Sequence, residues 1–173
     1  MSDTKLGIGR ATGMFYHAPA GTALPDDIST APGTGWTEVG DVSADGITLT
    51  LDKSNETLRN WANEVKRVIM TEHTESISAP IMDTTPEVFE TIFGSANVTT
   101  TTSGKTSVNL SAGSLPAEEA YLFLMKDGDD LIGIGCTNGQ ITSIDDVTFA
   151  PGEAITWTPT ITAIGSGFTL ITQ

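Results

Sequence analysis

The residues that could do chemistry are few, and their spacing works against them. Gly104-Lys105-Thr106 has the ending of a phosphate-binding loop, but the glycine that such a loop needs five residues earlier falls on Thr99. Its flanks also read as hairpin arms, not as strand and helix. Asp127, Gly128, Asp129 and Asp130 have calcium-loop flavour. Yet Leu131 stands where an oxygen ligand is required and Asn138 where the bidentate glutamate is required, so a turn explains them better. In Glu72-His73-Thr74-Glu75, alternation along a strand lets His73 share a face with Glu75 but not with Glu72 or Thr74. One imidazole and one carboxylate without a third ligand are insufficient for a metal site, and His17, the other histidine, lies far away in the N-terminal segment. Serine, histidine and aspartate occur with no nucleophile-elbow spacing to tie them together. Cys136 is the single cysteine, which excludes an intramolecular disulfide and a multi-cysteine zinc site and favours a buried small hydrophobe over an intersubunit bridge. The expectation is a protein with no enzymatic activity, no metal and no cofactor.

The elements that would position side chains are mostly strands and turns. The exception is DTTPEVFETIFG, residues 83–94. Thr84 or Thr85 can cap a helix, Pro86 suits its first turn, Glu87 favours the positive end and Gly94 supplies the stop. Val88, Phe89, Ile92 and Phe93 then fall on one side of a helix over about 85–93, too short to stand alone, which must pack on a β-sheet face. Residues 1–40 are broken by glycines and prolines and read as an extended arm. Its aromatic and aliphatic side chains require it to dock, on its own domain or on a neighbouring copy. From Trp36 the strand pattern begins, and Ile47, Leu49 and Leu51 alternate with Thr48, Thr50 and Asp52 as in a strand with one wet face. Residues 53–63, polar apart from Leu58 and Trp61, read as a long interaction loop. Residues 64–82 read as one long strand or as a hairpin bending near Glu72 to Thr74. Later turns fall at residues 103–105, at Asp127-Gly128 and at Asn138-Gly139. The sum is nine or ten strands and one helix, a mainly β antiparallel sandwich or barrel with one flanking α-helix, as a single domain over 1–173.

The chain has 8 basic and 22 acidic residues, net −14, so binding a nucleic-acid backbone by charge neutralisation is disfavoured. All eight basic residues lie at or before Lys126, which leaves residues 127–173 purely acidic: a solvated face, or a field presented to a polyanion that must pass without sticking. No stretch reaches the length of an apolar membrane span, and the opening residues lack the apolar run of a secretory signal. The expected place of synthesis is the cytoplasm, without membrane insertion of its own.

FYHAPAGTALPDD from Phe15, WTEVGDVSADGITL from Trp36, NWANEVKRVI from Asn60, PEVFETIFG, and the closing NGQITSIDDVTFAPGEAITWTPTITAI together resemble the major tail tube proteins of long-tailed, siphovirus-type bacteriophages. The resemblance covers about residues 14–170 and rests on the order of several moderate motifs. It implies a virion protein, assembled in the bacterial host cytoplasm, whose homohexameric rings stack into a tube around the tape measure protein. The tube meets tail terminator and tail tip or baseplate proteins and conducts DNA into the host without binding it specifically. Many members carry an additional C-terminal immunoglobulin-like domain; none is expected here.

Laid on this sequence, the resemblance makes the 1–40 arm and the 53–63 loop contacts to neighbouring subunits and the adjacent ring. Phe15, Tyr16, Leu24, Trp36, Leu58, Arg59 and Trp61 would be the interface residues. Segments 41–52 and 64–79 would line the bore, with Asp45, Glu72 and Glu75 as its acidic groups. Alternative readings are the ring-forming tube of a contractile injection or secretion machine and a carbohydrate-binding β-sandwich module.

Overall fold

The computed structural model describes residues 4–10, 14–111, 113 and 115–173. The parts of the expected arm at 1–3 and 11–13 lie outside the described residues. In chain order the elements are β1 (Ile8–Gly9), β2 (Phe15–Pro19), β3 (Thr37–Gly40), β4 (Thr48–Arg59), β5 (Val65–Ser78), α1 (Pro86–Phe93), a 3-10 turn (Ser95–Asn97), β6 (Val98–Thr100), β7 (Thr106–Val108), β8 (Glu119–Asp127), β9 (Asp130–Ile144), β10 (Pro159–Ala163) and β11 (Thr169–Thr172). The fold is mainly β and antiparallel, with one α-helix among the described residues, as the sequence leads one to expect.

One sheet runs in the order β3-β2-β8-β9-β10-β5-β4, with β1 beside the far end of β8 and β11 beside that of β9. Its two ends meet. Past β3, Val42 bridges Ile81, and Ile81 bridges Trp157 just before β10. The Ser43 amide donates to the Pro80 carbonyl at 2.7 Å and the Met82 amide to the Asp41 carbonyl at 3.0 Å. The Asp83 carboxylate accepts from the Asp41 amide at 2.7 Å, so the closure leaves few backbone groups unpaired. Sandwich and barrel were equally open from the pattern of strands; the sheet closes on itself.

Inside it Phe15, Ile77, Tyr121, Phe123, Cys136, Ile141 and Ile161 form the core, with Phe15 stacked on Phe123 at 4.4 Å and 5°. α1 covers the end where Trp157 sits. The Thr85 hydroxyl accepts from the Val88 amide at 3.4 Å, Pro86 stands in the first turn, and Gly94 ends the helix at φ 83°. Val88 and Ile92 are buried, while Phe89 and Phe93 lie edge-on to Trp157 at 5.3 and 5.7 Å.

β8 is buried on both faces. Tyr121 and Phe123 point into the barrel, and Leu122 and Leu124 point outward under Tyr16, Leu24, Ile28 and Trp36. The described N-terminal residues therefore dock on their own domain, one of the two alternatives the sequence leaves open, with Ile8–Gly9 and Phe15–Pro19 both paired to β8. The glycines of this segment hide the alternation of β2, which is a five-residue strand paired with β8 from Phe15↔Phe123 to Pro19↔Glu119.

Two expectations change, and a third pair of alternatives is resolved. Residues 53–59 are strand, not loop, because they pair residue by residue with β5, and only the turn around 60–64 remains of the expected 53–63 loop. Of the two readings of 64–82 the structure has the single long strand, Val65–Ser78, and a bulge at Thr71 absorbs the irregularity where a hairpin would have bent. Asn138-Gly139 is no hairpin turn, since β9 runs through it. Gly139 is needed there for space: a Cβ would come within 2.8 Å of Cys136 Sγ and 3.1 Å of the Tyr121 ring. The Asp127-Gly128 turn does form, with Asp127 opposite Asp130 and Gly128 at φ 62°.

Candidate assembly surfaces

β5 pairs with β10 only from Ser76 to Ser78, so the rest of the β4–β5 ladder leaves the barrel as a two-stranded ribbon. Every residue of β4 is exposed, as is β5 from Val65 to His73. Residues 53–60 alone carry the ribbon roughly 25 Å outward. Register assigns its faces. Asn55↔Met70, Thr57↔Val68 and Arg59↔Val65 lie on one face; Glu56↔Ile69 and Leu58↔Arg67 lie on the other. Both faces thus expose apolar side chains, with Leu58 at 57%, Val68 at 60% and Met70 at 57%.

The tip is well built for so exposed a place. The Asn60 amide donates to the Glu64 carbonyl at 3.0 Å, and the Asn60 side chain both accepts from the Glu64 amide and donates to its carboxylate, each at 2.9 Å. Arg59 donates to the Asn63 carbonyl at 2.9 Å, and Asn63 takes φ 62°, which asparagine tolerates. Lys66 and then Asn60 hold the Glu64 carboxyl below its usual range. At the apex Trp61 is fully exposed.

At the base the outer face of the sheet is a field of hydroxyls. Thr48, Ser78 and Thr160 lie side by side in register, as do Thr50, Ser76 and Thr162, and the Thr142 and Thr162 hydroxyls bond at 2.9 Å. The field continues outward through Asp52↔Thr74 and Ser54↔Glu72 without a lysine or arginine; beyond it the same face carries Glu56↔Ile69 and Leu58↔Arg67. Glu75 belongs to the opposite face. It accepts from His73 Nε2 at 2.6 Å and from the Phe168 amide at 2.6 Å, which together hold its carboxyl below the usual range. Glu72 and Glu75 therefore cannot face the same space, and Asp45 sits apart in the exposed turn before β4.

The sequence-derived interface set divides in the same way. Leu58, Arg59 and Trp61 are on the hairpin surface. Phe15 is enclosed at 0% exposure and Tyr16 at 8%, leaving no side chain free to meet a neighbour, while Leu24 and Trp36 are half-buried against Tyr16, Ile28, Leu122 and Leu124. Val65, Val68, Ile69 and Met70, which the sequence-derived set leaves out, are exposed on the same hairpin. The signal was the VKRVIM run itself, whose apolar residues alternate with no single face once the bulge is included.

Among the described residues no three His, Cys, Asp or Glu side chains stand close enough to hold a metal ion, and no helix is long and apolar enough to cross a membrane. An apolar cleft of about 510 Å³ lies between β1, the 43–46 turn and β8, with Asp45 as the only titratable group among its described lining residues.

The fold is similar to that of a chain in the anti-feeding prophage cap, which terminates a tube, at 11% identity over 99% of this chain and 97% of that one, with a TM-score of 0.47. It is similar also to a chain from the sheath–tube complex of an extracellular contractile injection system, at 11% identity over 91% and 87%, TM-score 0.47. A chain from the tail of an empty gene transfer agent particle, with C6 symmetry, aligns at 12% identity over 94% and 98%, TM-score 0.45. No curated protein matches the sequence. The sequence does match the phage tail tube protein family over residues 3–169, and with a match of that extent the chain belongs to the phage tail tube proteins.

Proposed function

We propose that the chain assembles as homohexameric rings stacked into a siphovirus-type tail tube that encloses the tape measure protein, ends on terminator and tip proteins, and conducts DNA into the host. The observation that carries this reading is the projecting β4–β5 hairpin. A two-stranded ribbon is marginal in water without a further surface, and this one exposes aliphatic groups on both faces. Each such side chain contributes on the order of 1–2 kcal/mol once covered, so a neighbouring subunit supplies what the barrel does not. The hydroxyl field, with Asp52 and Glu72 and no cations, suits a bore through which a polyanion slides, since a basic wall would hold phosphate by counterion release. A carbohydrate-binding role would need an aromatic platform, but Trp157 is buried, Trp36 is half-buried and Trp61 stands alone.

The test is negative-stain electron microscopy with sedimentation velocity across a concentration series, alone and with tape measure and tip proteins added. Hollow tubes with six-fold rings are the expected result. A chain that stays monomeric even with those partners present would end the reading.

A further inference from the structure

The outer part of the hairpin, between Asp52 and Glu72, concentrates positive charge in a strongly acidic protein. Residues 53–67 hold Lys53, Arg59, Lys66 and Arg67, half of the eight basic residues, against only Glu56 and Glu64. No ion pair engages Arg67 among the described residues. The opposite end of the barrel is its complement. Ile144 pairs with Pro159, and Thr160 with Ser78, which places the 145–158 loop at the Ser78 end of β5, away from the hairpin tip. α1 shares that end, since Phe89 and Phe93 pack on Trp157. The loop and helix bring Asp145, Asp146, Glu153, Glu87 and Glu90, and neither residues 145–158 nor 82–94 contain a lysine or arginine. Phe149, 70% exposed, stands in the same loop and offers an apolar contact.

We propose that the hairpin of one copy seats on this acidic end of a second copy, its cations facing Asp145 and Asp146 and its aliphatic side chains covering Phe149. The inference rests on the stacking reading above and names the two surfaces that form the joint. Donor and acceptor lie at opposite ends of the barrel, so the contact is head-to-tail and does not close on itself, the geometry that builds an open stack instead of a dimer. Charge complementarity of this kind also fixes register and rejects the reversed orientation, in which acidic end would meet acidic end. Nucleic acid fits the hairpin less well, because glutamates interrupt its cations, aliphatic groups occupy both faces and the rest of the protein repels phosphate.

The experiment compares the parent chain with Lys66→Glu/Arg67→Glu, with Asp145→Lys/Asp146→Lys, and with all four changes in one chain. Tube formation is read by microscopy and sedimentation, folding by circular dichroism. Each reversed pair is expected to raise the concentration at which tubes form by at least about tenfold, and the four-fold swap to restore it. Raising salt from about 0.05 to about 0.5 M is expected to weaken stacking of the unmodified parent, a readout that needs no variant to fold. Reversed pairs that stack like the parent, a swap that restores nothing, or parental stacking indifferent to salt would overturn the joint while tubes persist. So would binding of a short DNA duplex that Lys66→Glu/Arg67→Glu abolishes while leaving stacking intact. A parent that forms no rings or tubes with its partners supplied would instead sink the tube reading, and the joint with it.

Discussion

Excising the outer hairpin tests whether it is outside the stability of the barrel. Ser54 and Glu72 are directly opposite each other in the ladder, so residues 55–71 can be replaced by Asn-Gly, the two-residue turn that best joins such a pair. Every residue from 55 to 71 except the half-buried Asn60 is exposed, and none of them belongs to either buried cluster. Little apolar burial is therefore lost. Shortening the connection lowers its closure entropy by on the order of 1 kcal/mol, which offsets the lost cross-strand pairs. The expected change in unfolding free energy is within about 1 kcal/mol. Phe123→Ala, by comparison, empties a position stacked at 4.4 Å on Phe15 and costs about 3–5 kcal/mol. Urea titration of dilute monomer measures both variants, and microscopy asks whether the shortened chain still makes rings without stacking them. If excision destabilised the monomer as much as Phe123→Ala, the ribbon would be part of the folding unit and the argument that it awaits a partner would fail.

Thr85→Ala removes the hydroxyl that caps α1 and should cost about 1 kcal/mol in a urea titration, with Thr85→Ser recovering most of it. Glu75→Gln should destabilise the protein at pH 7. The folded carboxyl, held down by the His73 bond first and the Phe168 amide second, lies below its usual value of 4.5. Its contribution is therefore present above that value and lost as pH falls through the lowered one, so the parent and variant melting temperatures should converge in acid and stay apart at neutrality. Burial pushes the Cys136 thiol up to about 11, so a thiol reagent at pH 8 should leave the native protein almost untouched and label it once denatured; rapid native labelling would contradict the packing of β9 against Tyr121.

What could be read from the residues was whatever a local rule decides. The helix announced itself because Thr85, Pro86 and Gly94 each act within one turn, and the Asp127-Gly128 turn because its geometry needs only four residues. What escaped was decided by partners distant in sequence. Asn138-Gly139 satisfies the local rule for a hairpin, yet Gly139 is in place because Cys136, Ile161 and Tyr121 crowd it. Residues 53–59 look like a loop, since nothing in them says that 65–72 will pair alongside; the strand exists through its partner and not through its own alternation. The same blindness made Phe15 an interface candidate. An aromatic residue among glycines reads as an anchor, and only the pairing of β2 with β8 shows that it anchors the chain to itself.

The way the barrel closes also explains why the hairpin is free to leave. Beside the end of β5, the edge position that β4 would occupy is taken by residues 41–43, which bond to 80–82. With closure supplied there, β4 is required only at Thr48 to Thr50, and the remainder of both strands extends with no strand among the described residues paired to the outer edge of β4. A long open edge is a hazard in a monomer and is ordinarily blunted or covered; Asp52, Lys53, Glu56 and Arg59 set charge along this one. Here it is neither short nor interrupted by proline, and its bulges lie on β5, at Thr71 and Lys66, leaving the β4 edge regular. The edge is kept open by the same bridges that seal the barrel. A variant that loosened them, such as Asp83→Ala at the Asp41 amide, should therefore disturb both monomer stability and the angle at which the ribbon departs, whereas trimming the ribbon should affect assembly alone.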